Sequence, residues 1–159
     1  MELIIISGRS GSGKSVALRV VEDLGYYCVD NIPVNLLPSL VRSVSDNYDK
    51  IAVSIDVRNL PKEQDEFNHI IEYLPGFTKP TLFYLDSEDQ TLIKRFSETR
   101  RLHPLSIDSL PLDLAIKKEK ELLDVLITRA DYMIDTSELS VHQLAESIRE
   151  KILGKKTSS

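Results

Sequence analysis

Residues 2–25 read ELIIISGRSGSGKSVALRVVEDLG, and the fold follows from the order of their three parts. Residues 3–6 are four aliphatic residues in succession, the composition of a short strand buried on both faces of a parallel sheet. Residues 8–15, GRSGSGKS, match G-x-x-x-x-G-K-[ST], the phosphate-binding P-loop. Residues 16–24 then carry apolar side chains at helical spacing, and Gly25 stands where a left-handed helix end is wanted. Each residue type in the octet has a physical reason. Gly8 permits the turn out of the strand, and Gly11 and Gly13 let backbone approach phosphate oxygens without a Cβ in the way. Lys14 reaches the β- and γ-phosphates, Ser15 offers its hydroxyl to Mg²⁺, and Arg9, Ser10 and Ser12 contribute backbone to the cradle. Average residue usage would produce this pattern by chance in roughly one chain of this length in two hundred. Its position between strand and helix makes it a functional loop.

Outward from the octet the alternation continues. Residues 26–29 read as a second strand leading to Asp30 and Asn31, and residues 36–44 as a short helix with Pro38 in its first turn. Residues 51–55 form a strand ending at Asp56, 63–73 a helix, 81–85 a strand ending at Asp86, and 89–100 a helix. Two prolines break residues 102–111 into a loop that would serve as a lid. Leu112–Ile127 resumes helical spacing, and residues 132–134 make a fifth strand. Ser140 and Gln143 offer a capping box for a last helix that ends at Gly154. The fold class is therefore α/β, a kinase-like P-loop NTPase with a five-stranded parallel sheet of order 2-3-1-4-5 and helices on both faces. Residues 1–154 make one nucleotide-binding domain, and residues 155–159 a polar, disordered tail.

Composition limits the alternatives. The 159 residues carry 42% hydrophobic and 28% charged side chains, with one cysteine. No apolar run approaches the roughly 18 residues needed to span a bilayer, so no membrane association is expected. The lone Cys28 and the absence of a signal-like N-terminus suit a cytoplasmic protein. Asp and Glu total 25 against 20 Lys and Arg, a net charge of -5, which disfavours a nucleic-acid backbone track within these residues. His69, His103 and His142 lack metal-ligand spacing and read as surface or turn residues. Cys28 reads as a buried core thiol and KKEKE, residues 117–121, as a solvated helix face.

A metal-side carboxylate is expected beside the loop, and two strands end in Asp. Asp56 is favoured, because the third strand lies beside the first when the order is 2-3-1-4-5; it would hold Mg²⁺ with Ser15, through water. Asp86 has the simpler reading of a helix N-cap. Asp30 faces the same sheet edge, where it either orients a substrate hydroxyl or water, or closes an Asx turn with Asn31. Arg100 and Arg101 act either as fingers on the γ-phosphate or as helix-end counter-charges.

The glycine placement of the octet resembles that of small-molecule and nucleoside-monophosphate kinases. So do YLDSEDQTLIKRF (84–96) with an Arg-rich lid, and YMIDTSELS (132–140) as a base-contacting loop. Three longer blocks, SGRSGSGKSVALRVVEDLGYYCVDNIP (7–33), AVSIDVRN (52–59) and SETRRLHPLS (97–106), resemble in order and spacing the RapZ/YvcJ family of bacterial P-loop proteins, the RNase adapters of enterobacteria. That resemblance implies binding and slow hydrolysis of ATP and GTP, with the octet as the ATP loop and Asp56, Val57, Arg58 and Asn59 as a GTP stretch. Four residues cannot enclose a guanine, so one Mg²⁺-assisted site accepting either base is the simpler reading, with Lys14, Asp56, Arg100 and Arg101 as its catalytic residues. The resemblance also implies a second domain absent from these residues. In the full-length family that domain meets RNA and an RNase, in control of small-RNA processing for amino-sugar synthesis. A small-molecule kinase is the alternative, its acceptor lying between Asp30 and the lid. A homo-oligomer is compatible with either.

Overall fold

In a computed structural model, which describes residues 1–61, 63–99, 102–106 and 110–157, five parallel strands form one sheet. They are β1 (Glu2–Gly8), β2 (Tyr27–Val29), β3 (Lys50–Ser54), β4 (Lys79–Asp86) and β5 (Tyr132–Asp135), in the spatial order β2-β3-β1-β4-β5. The expected fold class and strand order are both present. Six helices connect them: α1 (Lys14–Asp23), α2 (Leu37–Val44), α3 (Gln64–Glu72), α4 (Asp89–Thr99), α5 (Leu112–Ile127) and α6 (Val141–Thr157).

β1 is central because all four of its aliphatic residues can be buried at once. Leu3, Ile4, Ile5 and Ile6 are each 3% exposed or less, and burying each such side chain contributes about 1.5–3 kcal/mol. Their alternation divides the core in two. Leu3 and Ile5 join Leu37 and Val41 of α2, Phe67 of α3, and Leu123 and Leu126 of α5 on one face. Ile4 and Ile6 join Ala17 and Val21 of α1 with Leu144, Ile148 and Ile152 of α6 on the other. Because every neighbouring pair of strands is parallel, their C-terminal ends share one rim, where loops are free to bind.

Local chemistry explains the helix ends. Gly25 adopts φ +95° after α1, and Pro38 lies in the first turn of α2. Ser140 and Gln143 form the expected reciprocal cap: Gln143 N–H donates to Ser140 Oγ at 3.1 Å, and Ser140 N–H to Gln143 Oε1 at 2.9 Å. The far end of α6 differs from expectation. The helix continues through Gly154 to Thr157, since the buried Ile148 and Ile152 anchor it and outweigh the roughly 1 kcal/mol that a glycine costs a helix. Residues 102–111 are not wholly irregular, because Pro104–Ser106 makes one 3-10 turn.

Candidate functional site

The octet leaves β1 at Gly8, whose place beside β4 no other residue can take. A Cβ there would sit 2.1 Å from Leu85 O, and φ is +144°. Gly11 and Gly13 also have positive φ, 86° and 111°. A Cβ on Gly13 would come within 2.7 Å of Leu144 Cδ2, and one on Gly11 within 3.1 Å of Phe96 Cε2. The glycines thus admit neighbouring protein as well as an incoming ligand.

The loop's carbonyls are tied down from several sides. Lys14 Nζ donates to Gly8 O at 3.0 Å and Arg9 O at 3.2 Å. Ser12 Oγ donates to Arg9 O, Arg95 Nη1 to Gly11 O at 2.8 Å, and Thr136 Oγ1 to Ser12 O at 2.7 Å. Meanwhile the N–H groups of Lys14, Ser15 and Val16, in the first turn of α1, have no intrahelical acceptor, so the positive end of the helix faces the cleft.

That cleft has a volume of about 520 Å³ and is lined on the loop side by Ser10, Gly11, Gly13, Lys14 and Ser15. Asp30, Ser54, Asp56 and Arg58 face them from the ends of β2 and β3, and Arg95, Phe96, Thr99, Leu102 and Pro104 close the remaining side. Asp56 follows β3, the neighbour of β1, as expected. Its carboxylate takes Arg58 N–H at 2.7 Å, Nε at 3.1 Å and Nη2 at 2.9 Å. Burial pushes the Asp56 carboxyl up, but the Arg58 hydrogen bonds and the charges of Arg58 and Lys14 outweigh it and hold the group below its usual range. For Lys14, desolvation dominates and lowers the ammonium below its ordinary value, against the opposing pull of Glu119, Asp56 and Asp30. A basic side chain held this way gains when anionic oxygens arrive.

Among the described residues no group of three or more His, Cys, Asp or Glu side chains would hold a metal unaided. The donors that are present, a Ser15 hydroxyl and an Asp56 carboxylate lining one cleft with Lys14, fit Mg²⁺ only if phosphate oxygens complete its shell.

The other sequence-derived residues divide. Arg9 belongs to the cradle by its backbone alone: its side chain is 1% exposed and turns to the opposite side of the loop. There Nη2 pairs with Asp89 Oδ1 at 2.6 Å and donates to Ile116 O, while Nη1 lies 3.5 Å from Asp86 Oδ1 and donates to Ser87 O. Asp86, accepting Ser87 N–H at 2.7 Å, lines a separate cleft with Arg9, Lys120 and Asp135. Ser12 is buried, and Val57 packs into the core. Asn59 Nδ2 donates to Asn31 Oδ1 at 2.5 Å, so of the four-residue stretch only Asp56 and Arg58 line the cleft. Asp30 does not close a turn on Asn31; it accepts Ser54 Oγ, which itself takes Asn31 N–H at 2.7 Å. Arg100 and Arg101 lie outside the described residues.

Three expectations are corrected. Glu119, read as part of a solvated face, is 0% exposed and bonded to Ser10 of the loop; the other four members of KKEKE are exposed. His103 is a turn residue, as read, with Ser106 N–H donating to its carbonyl at 2.8 Å, but it is buried and not at the surface, its ring 5.1 Å from that of Phe96. Cys28 is only half-buried, and burial, helped by Glu22, pushes its thiol up to about 11. Arg95 and Thr136 escaped sequence reading. Arg95 sits within a helical pattern whose charged residues all look solvated, and nothing in that pattern aims one of them at Gly11.

Residues 1–156 match the family described as the RapZ-like N-terminal domain. A protein of Pseudoalteromonas translucida (strain TAC 125), named a nucleotide-binding protein, is 89% identical over 156 residues, covering 98% of this chain and 56% of its own length. A Salmonella paratyphi B protein named RNase adapter protein RapZ is 56% identical over 156 residues, 98% of this chain and 55% of the relative. The chain therefore spans about half the length of the curated relatives it matches. Among solved structures, shikimate kinase from Acinetobacter baumannii in complex with shikimate superposes with a TM-score of 0.64 at 16% identity, over 97% of this chain and 94% of that one, a likeness of fold.

Proposed function

The chain belongs to the RapZ-like N-terminal domain family, and from that premise we propose that it binds ATP or GTP with Mg²⁺, both nucleotides in the one cleft lined by Lys14, Ser15 and Asp56. It hydrolyses the nucleotide slowly, as the nucleotide-responsive part of an RNase adapter protein like the Salmonella relative's name describes. The observation that carries this reading is the convergence of Gly13, Lys14 and Ser15 with Asp56 and Arg58 on one cleft at the C-terminal rim of the sheet. Three N–H groups at the start of α1 and one cation would receive the phosphates. Ser15 and Asp56 would share the Mg²⁺ shell, and Mg²⁺ would supply charge neutralisation between phosphate oxygens. Asp56 and Arg58, bonded to each other, offer no pocket for a second base, so both nucleotides use the same loop.

A second reading, a small-molecule kinase, is favoured by Asp30 and Ser54, which face the loop across the cleft with polar groups that a hydroxylated acceptor would meet. One experiment separates them. The protein is incubated with Mg²⁺, γ-labelled ATP or GTP and a pool of hydroxylated metabolites, with direct titration of both nucleotides alongside. Saturable binding of both nucleotides with release of label to water alone is expected. Label moving to a metabolite faster than to water would replace the first reading with the second, and no binding of either nucleotide would sink both.

A further inference from the structure

Glu119 brings a full carboxylate into the interior beside the loop, where an ionised group costs several kcal/mol unless it is fully bonded. Three donors meet it. Ser10 N–H reaches Oε1 at 2.7 Å and Ser10 Oγ reaches Oε2 at 2.5 Å, while His103 Nε2 lies 3.2 Å from Oε1. The imidazole's other nitrogen fixes the protons. Nδ1 accepts the N–H of Leu105 at 3.0 Å, so it carries no hydrogen, and the ring is neutral with its single N–H on Nε2, pointing at Glu119. Both ring nitrogens and both carboxylate oxygens are thereby committed.

The two residues this carboxylate joins stand on different parts of the cleft. Ser10 lines its floor on the phosphate loop, and His103 is flanked by Leu102 and Pro104, which line its outer wall. The joint is inaccessible to water, His103 being 1% exposed and Glu119 0%. A water molecule therefore cannot substitute for either partner while the other moves, and Glu119 also acts through space on Lys14. We propose that Glu119 is a positioning residue that fixes the Ser10 corner of the phosphate loop to the 102–106 wall, so that loop and wall keep or lose their geometry together. The role in nucleotide handling rests on the function proposed above; the joint itself does not.

The test reads amide exchange by NMR in the nucleotide-free protein at two reporters, Ser10 N–H and Leu105 N–H, one on each side of the joint. His103→Phe keeps the ring against Phe96 and leaves both bonds from Ser10 chemically intact, yet Ser10 should exchange about tenfold faster, the effect expected when a charge-assisted network loses one member. Ser10→Ala, three hydrogen bonds away from Leu105, should accelerate Leu105 by a similar factor, and Glu119→Gln should accelerate both. Urea midpoints confirm that each variant is folded; should Glu119→Gln unfold, the other pair still decides. If each substitution loosens only its own side, Glu119 joins nothing and the proposal falls. With Mg²⁺ and ATP added, the wild type should protect Leu105 as well as the loop, and Glu119→Gln the loop only. A wild type that binds no triphosphate would overturn the proposed function while the crossed effects without nucleotide still judge the joint.

Discussion

Two strands flank β1 and each has an aspartate at its C-terminal side, Asp56 two residues past β3 and Asp86 as the last residue of β4, yet the two lead different lives. Asp56, after β3, looks into the cleft that holds Lys14 and Ser15, braced by the side chain and backbone of Arg58. Asp86, ending β4, lies on the other side of the loop against Arg9, which is buried and also takes Asp89 and two carbonyls. The difference comes from the octet itself. Its second residue sends a guanidinium toward β4, so the carboxylate there becomes the counter-ion of a structural cation. Its seventh sends an ammonium to the loop's own carbonyls on the cleft side, where the other carboxylate stays available. One loop thus assigns opposite roles to two aspartates on the same rim of the sheet.

The largest way to disturb this division is Arg9→Met. It strips Asp86 and Asp89 of their counter-charge and takes the guanidinium's hydrogen bonds away from Ser87 O and Ile116 O. The expected loss is about 2–3 kcal/mol by urea denaturation, below the ~3–5 kcal/mol typical when the orphaned charge is buried, because Asp86 and Asp89 keep 30% and 39% exposure. Lys14→Ala should do the reverse. ATP and GTP affinity should fall together by about 10- to 100-fold, as when a hydrogen bond to a charged group is lost; loss of one alone would end the single-cleft reading. Stability should stay level or rise. The Lys14 ammonium is held below its ordinary value of 10.5, so its burial penalty is fully present at low pH, eases as pH rises through the folded value, and is gone above 10.5. The variant's advantage at neutral pH should therefore shrink toward alkaline pH.

A smaller effect separates the two aspartates directly. Asp56→Asn should raise the Mg²⁺ concentration needed for hydrolysis about tenfold, the size seen when a partner outside the direct ligands is removed, whereas Asp86→Asn should leave that titration in place. The opposite result would exchange their roles. Asp56 also favours folding above its unfolded value of 3.8, a contribution lost as pH falls through its lower folded value; Asp56→Asn should flatten the acid limb of stability. Smallest is Arg58→Ala, about 0.2–1 kcal/mol because Arg58 is 49% exposed. Its clearer signature is the Asp56 carboxyl titrating higher by NMR.

Sequence reading reached the sheet order and the placement of the octet because both rest on local pattern: a buried β-branched run, glycines at fixed offsets, and alternation of periods 2 and 3.6. It placed Asp56 by topology alone, one strand from β1. It missed what depends on residues far apart in the chain. Glu119 stands among four charged neighbours that are solvated, and only the packing of α5 under Ser10 singles it out, 109 residues away. Arg9 is a variable position of the motif, whose side-chain direction no spacing reveals. The end of α6 was misjudged because a glycine's intrinsic preference was weighed without the anchoring of Ile152.

The bonds that hold the octet have a thermodynamic consequence. Four of its carbonyls are already engaged by Lys14, Ser12, Arg95 and Thr136, and its Ser10 corner by Glu119. Ordering a side chain or loop on association costs about 0.5–1.5 kcal/mol per immobilised group. Here that entropy is lost once, when the chain folds, so a phosphate meets a loop that is preorganised, and its departure leaves the loop standing.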